Sequence, residues 1–273
     1  MQKTIFITGA SAGLGKATAK LFQLRGWQVI ATMRNPENET ELTTLANVTI
    51  HKLDVTDEKQ INDTVQAIIK QYPVDLVLNN AGYGLVGVLE ALSDEQIVRQ
   101  INTNLLGVIR TTRAFLPYFR ARKKGMFINI SSIFGLTGYP TCSVYAATKF
   151  AIDGFSESLA YELAHTGITV KIIAPGGIQT DFAGRSMDGG THTAYKQLVE
   201  KVSAGYSEER VRQFSTANSI AEQIYEAASD NRNQLRYIAG KDAVDIYEER
   251  IRLGAEGQYV KVKKLFDNEI FIQ

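Results

Sequence analysis

Short β-branched runs alternate with longer amphipathic windows along most of this chain, and that alternation constrains the fold more than any single motif. Residues 4–8 read as a strand, and the window at 13–25 puts Ala17, Leu21, Phe22 and Leu24 on one predicted helical face before Gly26 stops it. Residues 29–32 predict a second strand, a polar helix follows Pro36, and 48–53 predicts a third strand that runs into Asp54. A helix over 57–71 carries Ile61, Val65, Ile68 and Ile69 at helical spacing. Residues 74–78 are apolar after Asp75, as a strand covered on both faces must be. Strand–helix–strand units of this length supply crossover connections, so the sheet is predicted to be parallel.

The pattern continues past Asn79-Asn80-Ala81-Gly82. Ser93-Asp94-Glu95 opens a long helical region reaching residue 122, 126–130 is a fifth strand, and 143–165 is the longest helix, closed by Gly167. Residues 169–174 form a sixth strand broken by Pro175-Gly176-Gly177. Residues 220–229 read as a helix, 236–239 as a short last strand, and the remainder as one or two amphipathic helices. No repeat, low-complexity segment or linker interrupts the series. The expectation is one doubly wound α/β domain, three-layer αβα, around roughly seven parallel strands. Residues 180–217 would be a lid and 241–273 a C-terminal helical extension.

Composition narrows the function classes. A chain of 273 residues with 44% hydrophobic and 22% charged residues is that of a globular enzyme, and a net charge of +1 predicts neither nucleic acid nor an anionic membrane as partner. A lone Cys142 forms no internal disulfide, the N-terminal apolar run is short for a signal sequence, and no stretch approaches ~18 apolar residues. The expected compartment is the cytoplasm. His51, His165 and His192 are scattered without Cys or acidic partners at ligand spacing, so no metal is expected. Cys142 reads as a small apolar filler, and the run from Lys261 to Lys264 as a solvated helix face.

Two motifs carry chemistry. Thr8-Gly9-Ala10-Ser11-Ala12-Gly13-Leu14-Gly15 lies between the first strand and the first helix. Glycines there let the backbone turn and approach a pyrophosphate, while the helix N-terminus offers free N–H groups. Tyr145 and Lys149 stand one helical turn apart, so they share a face and the ammonium can favour the phenolate. A Tyr-Lys pair alone is a weak signal.

Together with Asn79-Asn80-Ala81-Gly82 and Ser132, these motifs resemble the short-chain dehydrogenase/reductase family in its single-domain form, from Thr4 to about Thr180 and again near Arg236 to Ala243. The resemblance implies that Tyr145 is the acid/base and that Lys149 lowers its pKa and holds the nicotinamide ribose. Ser132 would orient the substrate oxygen, with Ser131 as its competitor. Asn104 would shape the mid-chain helix and join a water-mediated proton relay with Lys149. It further implies cofactor contacts from Gly9, Ser11, Gly13, Leu14 and Gly15 at the pyrophosphate. Asp54 and Val55 would contact the adenine, Asn80, Ala81 and Gly82 the adenosine, and Pro175, Gly176, Ile178 and Thr180 the nicotinamide. Read by itself, Asp54 serves equally well as an acid preceding a helix. Gly177 occupies a variable position, which bears on how rigid that loop is.

The second strand ends Ala31-Thr32-Met33-Arg34-Asn35, without the acid that accepts from an NAD ribose. Arg34 could pair instead with a 2′-phosphate, giving an expected preference for NADP(H) over NAD(H), with Ser11 as a second contact. Ala12 stands where a subfamily carries another basic residue. Phe182, Met187, Tyr195, Leu198, Val202, Tyr206 and Phe214 would line a hydrophobic substrate pocket, and Met187-Asp188-Gly189-Gly190-Thr191 reads as a mobile lid. The segments at 79–83 and 34–36 resemble the hydroxysteroid- and retinol-dehydrogenase-like branch. The expected reaction interconverts a carbonyl and an alcohol in a homodimer or homotetramer. The alternatives are a nucleotide-sensing regulator without turnover and a cofactor-assisted epimerase or dehydratase.

Overall fold

The computed structural model describes residues 2–179 and 187–267. Eleven strands occur in chain order: β1 Thr4–Thr8, β2 Gln28–Met33, β3 Val48–Lys52, β4 Val74–Asn79, β5 Gly84–Gly87, β6 Gly125–Ile130, β7 Ile168–Pro175, β8 Ile178–Gln179, β9 Met187–Gly190, β10 Ser215–Thr216 and β11 Arg236–Ala239. Seven of them build one parallel sheet in the order β11-β7-β6-β4-β1-β2-β3, the doubly wound topology in which the chain starts at the centre and winds both ways. The predicted seven-stranded α/β fold is the one observed.

Each face of the sheet carries its own core. On one face, α1 (Gly13–Leu24) and the helix Ala217–Ser229 bury Phe22, Ile220 and Ile224 over Ile5, Ile7 and Val29. Phe22 meets Trp27 and Tyr225 edge-on, with ring centroids 5.0 and 5.2 Å apart. On the other face, α2 (Glu58–Gln71), α4 (Gly107–Arg122) and α5 (Ser143–Leu163) bury Ile61, Val65, Phe115, Phe119 and Leu159 over Phe6, Val77 and Phe127. Asp57 caps α2 by accepting from the Gln60 N–H at 2.9 Å, and Ser93 with Gln96 forms a capping box at the start of α3 (Asp94–Ile101).

Three expectations need correction. Leu24 does not turn inward. It is 78% exposed on the last turn of α1, just before Gly26 turns the chain at φ +81°. The polar helix after Pro36 is only two 3-10 turns, Pro36–Asn38 and Leu42–Thr44, the second held by Glu39, whose carboxylate accepts from the N–H groups of Glu41 and Leu42. The glycines of 187–190 are not a loose lid but strand β9, paired in parallel with β5. A Cβ on Gly189 would stand 2.0 Å from the Val86 carbonyl, so glycine serves close backbone approach there. Asp188 is anchored by Gln96 Nε2 at 2.7 Å and by Arg99.

The helical region from Ser93 to Arg122 contains a π-turn at Asn102–Leu106 between α3 and α4. The C-terminal segment is a helix at Lys241–Phe266, bent where Gly254 leaves helical geometry at φ 70°. Among the described residues, no helix is long and apolar enough to cross a membrane.

Candidate active site

The carboxyl ends of β1, β4, β6 and β7 come together on one edge of the sheet, where open α/β folds bind ligands. At β1 the chain enters the glycine turn. Gly9 adopts φ +70°, and a Cβ on Gly15 would lie 2.3 Å from the Gly9 carbonyl and 2.5 Å from Asn80 Nδ2. Only glycine at both positions lets α1 start this close to the strand. Ala12, the N-cap of α1, supplies no side-chain hydrogen bond, so the first N–H groups of the helix are not capped from within. Leu14 is buried in the core, while Ser11 is exposed beside the turn. The residues present fit a dinucleotide pyrophosphate.

The β4 end braces that turn. Asn80 Nδ2 donates to the carbonyls of Thr8 and Gly9, each at 3.0 Å, and Thr8 Oγ1 accepts from the N–H groups of Asn80 and Ala81, each at 3.0 Å. Asn80 therefore holds the glycine turn with its own amide donor. Asn104, in the π-turn and 1% exposed, clamps Tyr83 from both sides: its Oδ1 accepts from Tyr83 N at 3.0 Å and its Nδ2 donates to Tyr83 O at 2.9 Å. Each end of that side chain makes one hydrogen bond, so Asn104 fixes the backbone at Tyr83. The π-turn shifts a backbone carbonyl out of the α-helical bonding pattern.

Ser132, 6% exposed, stands at the end of β6 and caps a 3-10 turn at Ile133–Gly135, its Oγ accepting from Phe134 N at 3.1 Å. The adjacent Ser131 hydroxyl is turned away, donating to the Lys149 carbonyl at 3.2 Å. Tyr145 and Lys149 sit in the first turns of α5. Ser132 stands close enough to the Tyr145 phenol to pull its pKa downward, and Lys149 Nζ lies 5.6 Å from the Tyr145 ring centroid while donating to the Ile130 carbonyl at 2.9 Å. The three expected residues converge.

Their electrostatics depart from the expected pattern. Burial pushes the Tyr145 phenol up to about 12, against the downward pull of the Ser132 hydrogen bond, and burial lowers Lys149 to about 8. The Lys149 ammonium is bound to the Ile130 carbonyl and lies over the Tyr145 ring. Cys142, buried beside the site, is pushed up to about 11, in keeping with an apolar filler.

The remaining predicted contacts are distributed around this edge. Arg34 is exposed just beyond β2, and no carboxylate pairs with it among the described residues. Asp54 Oδ1 accepts from Thr56 N at 2.9 Å and Thr56 Oγ1 at 2.7 Å, a local turn that commits one of its oxygens. Val55 packs where a Cβ on Gly107 would be 2.9 Å away, and Gly82 lies against Asn104. Pro175 ends β7, Gly176 N donates to the Ala239 carbonyl at 3.0 Å, and Ile178 pairs with Ser215 across the β8–β10 ladder. Thr180 and Phe182 lie outside the described residues. The sequence reading missed Asp242, whose Oδ2 accepts from Gly177 N at 2.7 Å. Its only sequence signal is an acid just after the last strand.

A groove of about 500 Å³ opens between Thr137, Tyr139 and Pro140 on one side and Arg250, Tyr259, Val262, Lys263 and Phe266 of the C-terminal helix on the other; Ser132, Tyr145 and Lys149 do not line it. Tyr206, 45% exposed, meets the Phe214 ring edge-on with centroids 6.2 Å apart. Tyr195 instead bonds Glu90 at 3.0 Å, and Val202 is packed inside. Among the described residues, no group of His, Cys, Asp and Glu is clustered to hold a metal ion.

A doubly wound sheet with a glycine cradle at its central strand defines a dinucleotide-binding α/β protein. Residues 3–190 match the model of the short chain dehydrogenases. The chain is 36% identical over 253 residues to an oxidoreductase of Botryotinia fuckeliana, covering 90% of this chain and 91% of that one. It is 37% identical over 194 residues to retinol dehydrogenase 8 of Homo sapiens, covering 67% of this chain and 61% of the relative. A short-chain dehydrogenase structure from Streptomyces avermitilis aligns with a TM-score of 0.81 at 32% identity, over 98% of this chain and all 100% of that one. ElxO with NADP bound aligns at 0.73 and 30% identity, over 87% and 98%. The chain belongs to the short-chain dehydrogenase family and is an NAD(P)-dependent oxidoreductase.

Proposed function

We propose that the protein is an NADP(H)-dependent reductase that converts the carbonyl of a hydrophobic substrate to an alcohol, and runs the reverse reaction at higher pH. The observation that carries this reading is the convergence of Ser132, Tyr145 and Lys149 at the end of β6, facing the glycine cradle. The nicotinamide supplies the hydride. This chain's residues manage the oxygen. Ser132 Oγ hydrogen-bonds the substrate oxygen, and the Tyr145 hydroxyl gives up its proton as negative charge develops there. With its pKa near 12, the phenol is fully protonated at neutral pH, which is the form needed to protonate an alkoxide. Lys149 supplies a positive charge beneath the phenol and donors for the ribose hydroxyls.

Gly9, Gly13 and Gly15 take the pyrophosphate on the α1 N-terminus, and Arg34 with Ser11 takes the 2′-phosphate. Asp54 and Val55 contact the adenine, Ala81 and Gly82 the adenosine, and Pro175, Gly176, Ile178 and Thr180 the nicotinamide. Support for the NADP preference comes from the lack of an acid after β2, the unpaired exposed Arg34 and the NADP carried by ElxO. Support for a hydrophobic substrate comes from the 37% identity over 194 residues to retinol dehydrogenase 8. The described parts of the two C-terminal segments, 187–217 and 241–267, are read as the substrate-side segment and the helical extension. A second groove, of about 400 Å³, is lined by Leu89, Ile97, Ile101, Val144 and Ala147 on α3 and α5. With Leu89 58% and Phe150 43% exposed nearby, it supports pairing with a second copy of the chain, which light scattering would read.

The test is a panel of ketones and aldehydes followed by NADPH consumption, with NADH in parallel. The expected result is turnover of hydrophobic members and a clear preference for NADPH. Equal use of NADH removes the assignment of Arg34, and full turnover by Tyr145→Phe removes the catalytic assignment. Tight NADPH binding without turnover of any member favours the nucleotide-sensing alternative, and product formed without net NADPH change favours epimerisation or dehydration.

A further inference from the structure

Asp242 lies beyond the residues matched by the family model, in the first turn of the C-terminal helix, yet its carboxylate reaches back to the end of β7. Its Oδ2 accepts from Gly177 N at 2.7 Å. A Cβ on Gly176 would stand 2.3 Å from both carboxylate oxygens, so the group sits directly against the Gly176 backbone. Three further contacts tie the same turn: Gly176 N donates to Ala239 O at 3.0 Å, Ser215 N donates to Gly177 O at 3.2 Å, and the Phe214 ring lies 2.5 Å from where a Gly177 Cβ would be. The two glycines are therefore not a loose link. They are clasped between a carboxylate and an aromatic ring, and either side chain would break the clasp.

We propose that Asp242 is a positioning residue: through the Gly177 N–H it sets the backbone of the segment 175–178, and so the grip of that segment on the nicotinamide half of the cofactor. This rests on the assignment of 175–178 to the nicotinamide made above. An acid in the first turn of a helix has an ordinary use, offsetting the helix dipole. The two roles differ in what they demand of the side chain. Dipole stabilisation needs a negative charge and tolerates one more methylene. Holding the Gly177 N–H needs an acceptor oxygen at the aspartate's reach and tolerates loss of charge.

The test measures equilibrium binding of NADPH, by the fluorescence of its nicotinamide, and of adenosine 2′,5′-bisphosphate, which lacks the nicotinamide, by calorimetry. Asp242→Ala and Asp242→Glu are expected to weaken NADPH by about tenfold, the scale of one charge-assisted hydrogen bond, and to leave the bisphosphate within about twofold. Asp242→Asn is expected to restore NADPH binding to within about threefold of the parent protein. The reverse order, with Glu restoring and Asn failing, overturns the proposal in favour of a helix-end role, as does an equal loss for both ligands. If Asp242→Ala does not fold, the Asn and Glu pair decides. Should the parent protein bind NADPH no tighter than the bisphosphate, the nicotinamide assignment of 175–178 fails and this proposal falls with it. If the parent discriminates and no Asp242 variant changes that, only the role of Asp242 fails.

Discussion

Two lysines are buried on opposite faces of the same sheet, and they are held in opposite ways. Lys171, on β7 and 1% exposed, donates to Asp230 Oδ1 at 2.7 Å, the Ala227 carbonyl at 2.8 Å and Tyr237 Oη at 3.0 Å. Asp230 is desolvated, yet its bonds from Lys171 and Tyr237 hold its carboxyl down at about 2, and Tyr237 donates its hydroxyl to Asp230 Oδ2 at 2.7 Å. Every partner in that cluster is satisfied, and it ties β7 to β11 and to the helix Ala217–Ser229. Lys149, 7% exposed, has one carbonyl and no carboxylate among the described residues, and burial lowers it to about 8. A paired buried charge belongs to the fold, whereas an unpaired one at a sheet edge is held ready for chemistry.

Breaking each lysine should therefore damage a different property. Lys149→Ala is expected to lower kcat/KM for carbonyl reduction by about 10²–10⁴-fold, the usual worth of a proton-transfer system, as read by steady-state NADPH oxidation. Retention of more than half the parent activity would show that the unpaired lysine is incidental. Lys171→Ala, by contrast, leaves Asp230 buried without its cation and should cost about 3–5 kcal/mol in urea unfolding, with the activity of the surviving folded protein near normal.

The comparison is sharpened by pH. Because the Lys149 ammonium is lost as pH rises through about 8, kcat/KM for reduction should fall above that value, and a profile flat to pH 9.5 would remove Lys149 from the reaction. At the acid end the sign runs the other way. The Asp230 carboxyl is depressed, so its stabilisation is fully present above the unfolded carboxylate range and disappears as pH falls toward about 2. Asp230→Asn should flatten that acid arm of the unfolding curve. The smallest effect belongs to Lys149→Met. It removes an unpaired buried charge and a carbonyl's partner together, so stability at pH 7 should stay within about 1 kcal/mol of the parent.

Much of the surroundings of Lys149 could be read from residue order. Ser132, Tyr145 and Lys149 are brought together by one strand end and one helix, and the glycine turn follows directly from a strand and a helix that share it. Local periodicity also predicted the seven strands of the sheet, since the central strands are covered on both faces and read as apolar runs, and the edge strands β3 and β11 are short β-branched or aromatic stretches bounded by turn residues. The errors fall where spacing in sequence says nothing about contact. Leu24 looked apolar and inward, but which residues of a helix's last turn are covered depends on what packs against them from elsewhere in the chain. Glycines at 189 and 190 looked like freedom, but β5 pairs with them across a separation no local pattern encodes.

The amino-acid sequence by itself determined the parallel α/β fold and the glycine turn after the first strand, because these depend on periodicity and short spacing, while its resemblance to a known family singled out Ser132, Tyr145 and Lys149. Only the tertiary structure decided that Asn80 and Asn104 brace the backbone and that Asp242 reaches Gly177. The direction in which Tyr145 and Lys149 are shifted also comes from the structure. Each of these depends on burial and on contacts between residues far apart in the chain, and desolvation is a property of the surroundings that a residue acquires only when the chain has closed around it.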